Sequence, residues 1–183
     1  TIPYIDGGTS ISRTARVFPT YLIFKPAMFI TSFFLIQYWR FNFSLMKEIS
    51  PYSNYKKFFL FFGIASAIFL ILHSIFLGIK FDNDLYKLFR RIILLLFIIF
   101  EVAAQSLLVI NLYRVKEQIK NNINGKILNF KIALVLILIF VATISIPYLS
   151  ADGYVRFKHA LEWNYFVGVI SFYMLTFFFW KKT

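Results

Sequence analysis

The side chains able to do chemistry are few, and four of them stand inside apolar runs: Lys25, His73, Glu101 and Glu162. An ionisable group held in hydrocarbon costs about 2.5–3.5 kcal/mol on insertion scales unless it meets protein or water, so each is a candidate functional residue. Gln105 stands one helical turn beyond Glu101, and Asn164 lies close to Glu162. At the rise of a helix, the four ionisable groups fall within roughly 13 Å of the same membrane face. Shared depth permits one polar cluster of Lys25, His73, Glu101, Gln105, Glu162 and Asn164, with the external segment Pro3-Tyr4-Ile5-Asp6-Gly7-Gly8-Thr9-Ser10 able to close over it. One chemistry for it is a head-group or cation pocket, with Glu101 and Glu162 as acceptors and Lys25 on an anionic group. The other is interhelical glue, in which Lys25 snorkels and the carboxylates pair with it or stay protonated. Depth alone does not bring helices together, which weighs toward glue.

Other chemistries find no footing. With no cysteine there is no disulfide, thiolate metal site or cysteine nucleophile, and two histidines make a poor zinc set. Asp82-x-Asp84 resembles the opening of a calcium loop, but Lys87-Leu88 stands where a glycine belongs, so helix capping is the better reading. Asp6-Gly7-Gly8-Thr9 lacks the lysine and spacing of a phosphate loop and reads as a turn. No catalytic residue, cofactor or metal is assigned, and no soluble enzyme is in view.

These residues must be positioned by membrane helices. The 183 residues are 60% hydrophobic and only 15% charged, too apolar for a typical soluble domain. Runs of Leu, Ile and Phe separated by short basic stretches predict an all-α, polytopic transmembrane helix bundle, because only structures that pair every backbone group internally cross a bilayer. Five spans are expected, at 18–39, 58–79, 92–113, 130–149 and 160–180, between an external segment (1–17) and a cytosolic tail (181–183). Lys25-Pro26 interrupts the first span. Ser50-Pro51 breaks the first loop, Asp82-Asn83-Asp84 supplies N-caps for the third span, and Asn124-Gly125 marks a turn. Tyr38, Trp39, Tyr113, Tyr148 and Trp180 stand at span ends, where an aromatic belt would sit.

The net charge of +12 would point to nucleic acid in a soluble chain; at span ends it points to anionic lipid. Arg114, Lys116, Lys120, Lys126 and Lys131 are the expected lipid contacts, interleaved with Val115, Ile119, Ile123 and Ile127 at spacing four, as on a helix with one greasy face. Eleven Lys/Arg on one side against eight on the other place residue 1 outside or in a lumen and the C-terminus in the cytosol. The Asn42-Phe43-Ser44 sequon then faces the cytosol.

Pro3-Tyr4-Ile5-Asp6 before the first span and Ala160-Leu161-Glu162-Trp163 opening the last carry a family resemblance. The chain resembles the superfamily of damage-regulated autophagy modulators and post-GPI-attachment lipid-remodelling factors. Those proteins have six spans, a Pro-x-[Ile/Val]-Ser-type external segment and a Glu-[Trp/Tyr] pair opening the last span; here Asp6 stands near the family's serine. The resemblance implies a further span upstream of Thr1, a lipid-linked setting without a defined reaction, and a family position at Glu162. The expected function is a non-catalytic accessory or regulatory subunit, packed in the bilayer against a larger membrane protein such as a cation pump. The alternative is a lipid-remodelling or lipid-binding factor tied to GPI or phosphoinositide lipids. For the partner, Gly63, Ala67, Leu70 and Ile71 are the expected packing face, with Ser66 and Ser74 nearby, since small residues let helix backbones approach.

Overall fold

The structure, a computed structural model, describes residues 2–50, 55–79, 83–150 and 153–181. Among the described residues seven helices follow one another: α1 (Pro3–Asp6), α2 (Ile11–Thr14), α3 (Thr20–Ile49), α4 (Tyr55–Phe76), α5 (Asp84–Arg114), α6 (Gly125–Ser150) and α7 (Val155–Phe177). Among the described residues there is no strand, only an isolated bridge between Ile123 and Trp180. The all-α class is as expected. Among the described residues four stretches are long and apolar enough to cross a membrane: Thr20–Ile49, Lys56–Phe76, Leu88–Arg114 and Gly125–Ser145. The fifth expected span falls on α7. Its 23 residues reach about 35 Å, but its first half carries Arg156, Lys158, His159, Glu162 and Asn164, and it is not one of the four.

Local chemistry sets the helix ends. Asn83 caps α5, its Oδ1 accepting the Leu85 N–H at 2.9 Å, while Asp82 and Pro51 lie outside the described residues. Asn124 does the same for α6, its Oδ1 accepting the Lys126 N–H at 3.1 Å. Pro26 does not end α3; the helix runs through it and ten residues beyond the expected end at 39. The extension follows from a buried stripe, Ser32, Leu35, Trp39, Asn42 and Met46, whose alternating steps of three and four keep one face inward. Within it Asn42 is buried and donates to Tyr38 O at 2.9 Å, so the sequon is closed by packing whichever side it faces.

The chain divides into two compact units, Ala15–Asn111 (the α3–α5 unit) and Thr1–Thr14 with Leu112–Thr183 (the α6–α7 unit). In the α3–α5 unit, α4 carries a buried stripe of the same spacing, Lys56, Phe59, Gly63, Ser66, Leu70 and His73, which Leu77 continues just past the helix end. Helices α3 and α4 pack backbone-close, the fully buried Trp39 lying flat against Gly63. Helix α5 instead meets α4 through large side chains. The Phe100 ring sits 5.6 Å from Phe62 and 5.5 Å from Phe69, two turns apart on α4, and Phe76 stands 5.2 Å from Phe89.

In the α6–α7 unit, Leu128, Lys131, Val135 and Leu138 of α6 and Leu161, Tyr165, Gly168 and Phe172 of α7 form the core stripes. Tyr165 ties the pair, its hydroxyl donating to Leu138 O at 3.0 Å. Between α5 and α6 the chain runs through successive turns, not an α-helix. Val115, Ile119 and Ile123 are nevertheless buried at their spacing of four, with Ile119 N–H donating to Val115 O and Ile123 N–H to Ile119 O.

Candidate functional site

Glu101 is the centre of the polar interior of the α3–α5 unit. Its side chain has no exposed surface. Gln105, one turn along α5, donates from Nε2 to Glu101 Oε1 at 3.0 Å, and Ser66 Oγ of α4 lies 2.6 Å from Glu101 Oε2. Glu101, Gln105 and Ser66 are all fully buried. The sequence brought Glu101 and Gln105 together; it placed Ser66 beside the wrong feature, although Ser66 lies on α4's three-four stripe and so faces inward.

The other nominated residues of this unit do separate work. His73 is buried on α4, seven residues and about 10 Å along the helix from Ser66. Lys25, partly exposed, reaches from α3 to the Ile75 carbonyl of α4 at 3.5 Å. Glu162 and Asn164 belong to the α6–α7 unit, so the six expected cluster residues are shared between two units.

The expected partner face needs correcting. Gly63 and Ala67 are buried inside the unit, and a Cβ at Gly63 would overlap the Trp39 indole. The small residues do admit a close neighbour, but that neighbour is α3 of the same chain. For the same reason Trp39, at 0% exposure, is a core side chain and not part of an aromatic belt.

In the α6–α7 unit the N-terminal segment is laid on the start of α7. Helix α1 ends at Gly7 in the left-handed region (φ 60°), its N–H donating to Pro3 O at 3.0 Å. Gly7 also touches the Arg156 carbonyl so closely that a Cβ would overlap it. Four side chains of α7 then hold the segment. His159 Nδ1 lies 3.1 Å from Gly7 O, Trp163 Nε1 donates to Thr9 O at 2.9 Å, and Asn164 Nδ2 donates to Tyr4 O at 2.9 Å. Glu162 Oε1 accepts the Ser12 N–H at 3.1 Å. The two motifs that carried the family resemblance, 3–6 and 160–163, thus adjoin one folded feature. Sequence reasoning placed the segment near Glu162 but missed His159 and Trp163, whose polar atoms at one-turn spacing beside Glu162 were the available signal.

The basic residues at the other end of this unit divide in two. Arg114, Lys120 and Lys126 are exposed, Lys116 is half-buried with Nζ 4.4 Å from the Tyr113 ring centre, and Lys120 lies 3.9 Å from Glu117. Lys131 departs from the expected surface role. It is 1% exposed, donates to Thr176 Oγ1 at 2.7 Å, and has the Phe172 and Phe179 ring centres 4.2 and 5.4 Å from Nζ. Lys131 lies three residues after the buried Leu128 and four before Val135, on α6's inward stripe, so helix periodicity overrides its charge. Among the described residues no three His, Asp or Glu side chains gather as a metal site would require. Compared with known proteins, the chain matches no protein-family model, no curated protein and no solved structure, so any functional reading rests on these side chains.

Proposed function

We propose that this chain is a non-catalytic membrane subunit that packs against a larger membrane protein, a cation pump being one such partner, and stabilises or modulates it. The observation that carries the reading is the outward side of α3. One stripe of this 30-residue helix faces inward, and a second, Ile30, Phe34, Gln37, Phe41 and Ser44, is exposed at the same three-four spacing. Phe34 is 63% and Phe41 61% exposed, and Ala27 extends the stripe with a small residue. Lipid serves phenylalanine as well as protein does, but the Gln37 amide gains a hydrogen-bonding neighbour only from protein or head groups. The buried polar groups support the non-catalytic part, since Glu101 is engaged by Ser66 and Gln105, and Lys131 by Thr176.

Lipid binding is the second reading, favoured by the exposed Arg114, Lys120 and Lys126 at one end of the α6–α7 unit. Purification in mild detergent separates the two. A stoichiometric membrane protein should accompany the wild-type chain and be lost with Phe34→Ala plus Gln37→Leu, while the thermal unfolding of the isolated chain is unchanged. A wild-type chain that runs alone with bound anionic lipid overturns the subunit reading in favour of the lipid one.

A further inference from the structure

We propose that Arg90, on the first turns of α5, is a contact for the phosphate of an anionic phospholipid, in a polar spot built by the end of α4 and the start of α5. Two buried nitrogens mark the place. His73 is only 8% exposed and its Nδ1 has no hydrogen-bond partner among the described residues, and the same holds for the buried Nε of the half-buried Arg90. Buried polar atoms are nearly always paired, so two that are not, on neighbouring helices, point to a use other than packing. Contacts fix the two helix ends side by side. Tyr86 donates to Phe76 O at 3.0 Å, the Phe76 ring stands 5.2 Å from that of Phe89, and the Arg90 guanidinium lies 5.9 Å from the Tyr86 ring centre. Arg90 is close enough to His73 for its charge to act on the imidazole, and so is Arg16.

The charge of this spot favours an anion. Arg90 rests against a ring face and forms no ion pair among the described residues. The negative end of α4 offers little opposition, because Tyr86 occupies the Phe76 carbonyl, Lys25 Nζ lies 3.5 Å from the Ile75 carbonyl, and the positive start of α5 lies alongside. A guanidinium has only donors, in a planar fork that suits phosphate, and with Nε covered the Nη edge is the one left for a ligand. Depth selects lipid over free phosphate. Arg90 stands two residues inside the apolar stretch Leu88–Arg114 and His73 three from the end of Lys56–Phe76, about 3 and 5 Å along their helices, where head groups meet hydrocarbon. Ile75, Phe89 and Ile92, exposed on the same turns, give acyl chains an apolar bed. The site does not depend on a partner subunit, and it is separate from the basic residues of the α6–α7 unit.

Native mass spectrometry of the full chain in mild detergent tests this, with phosphatidylglycerol, phosphatidylcholine and inorganic phosphate each titrated separately. The wild type should bind phosphatidylglycerol saturably and in preference to phosphatidylcholine, and inorganic phosphate should not displace it. Arg90→Gln should weaken phosphatidylglycerol binding by about tenfold, the order of one charge-assisted hydrogen bond. Arg90→Lys keeps the charge, loses the fork and should fall between the two. Lys126→Gln, in the α6–α7 unit, should leave this binding unchanged. A wild type with no preference for phosphatidylglycerol overturns the proposal, whether or not the variants fold. So does a loss that follows Lys126→Gln and not Arg90→Gln, which would give the lipid to the basic residues of the second reading. Inorganic phosphate that binds with the same dependence on Arg90 would make the ligand a free anion and overturn the lipid assignment.

Discussion

Among the described residues, Glu101 of one unit and Lys131 of the other are charged side chains buried to 1% exposure or less, and the two units do it by different means. Glu101 of the α3–α5 unit is met by directional hydrogen bonds, with Gln105 and Ser66 each aligned on one carboxyl oxygen. Lys131 of the α6–α7 unit is met by one hydroxyl and two ring faces, Thr176 Oγ1 at 2.7 Å and Phe172 and Phe179 around Nζ. The two hydroxyls play opposite parts. Thr176 lies 3.3 Å from Phe172 O, to which it donates, leaving a lone pair to accept from Lys131, whereas Ser66 donates to Glu101 Oε2. An ammonium can only donate and an ionised carboxylate can only accept, so each needs the hydroxyl in a different role.

The comparison breaks most sharply at Lys131. Lys131→Glu sets a carboxylate against two ring faces and a hydroxyl whose hydrogen is already used, and should cost about 3–5 kcal/mol, the range for a buried charge that loses its partners. Lys131→Met keeps length and volume, gives up the cation–π contacts and leaves no charge to satisfy, so it should change stability by less than about 1.5 kcal/mol. Detergent-denaturant unfolding of the two variants checks both figures. Equal losses would show that Lys131 is needed for its charge and not merely accommodated.

How much of this could be read from the sequence follows the same division. Apolar run length made the helix class legible and the capping run around Asn83 made the start of α5 legible, because both depend on backbone groups that must be paired wherever the helix sits, whereas Asn124 read as a turn residue and not as the cap of α6. Glu101 and Gln105 were legible as a pair because four-residue spacing on one helix is local geometry. Ser66 was not, since its alignment with Glu101 depends on the register of α4 against α5, which Phe62, Phe69 and Phe100 set by packing. Lys131 was misplaced because its lysine chemistry was weighed above its position on α6. Trp39 and Gly63 were each noticed and given to different surroundings, an interface belt and a partner, when they are two halves of one contact.

That contact supplies a second, smaller test between the units, because each has a glycine into which a large side chain fits. At Gly63 a Cβ would strike the Trp39 indole, a rigid bicyclic ring already at 0% exposure. At Gly168 it would lie 2.6 Å from Leu138 Cδ2, the far end of a side chain that can turn. Alanine also gains about 0.5–1 kcal/mol of helix propensity over glycine at either site. Gly63→Ala should therefore be destabilising by about 1–3 kcal/mol, the overpacking term winning, while Gly168→Ala should fall within about 1 kcal/mol of wild type. Unfolding curves for the pair check the order, and a reversed order would mean that α3 yields more readily than α6.

The smallest effect belongs to Glu162, the second acid that the sequence put on equal terms with Glu101. Glu101 bonds two side chains and has no exposed surface, whereas Glu162 is half-buried and its Oε1 accepts a backbone N–H from Ser12. What Ser12 requires is an acceptor, not a charge, and an amide oxygen is one. Glu162→Gln should thus cost no more than about 0.5 kcal/mol, solvent screening having already weakened any advantage of the carboxylate. Glu162→Ala removes the acceptor and should cost about 1 kcal/mol, felt locally, because Trp163, Asn164 and His159 still hold Thr9, Tyr4 and Gly7. Hydrogen exchange resolves the two cases: the Ser12 amide should exchange severalfold faster in Glu162→Ala and near the wild-type rate in Glu162→Gln. If Glu162→Gln freed the whole 2–14 segment instead, the charge of Glu162 would be holding it, and an amide oxygen would not serve Ser12 in its place.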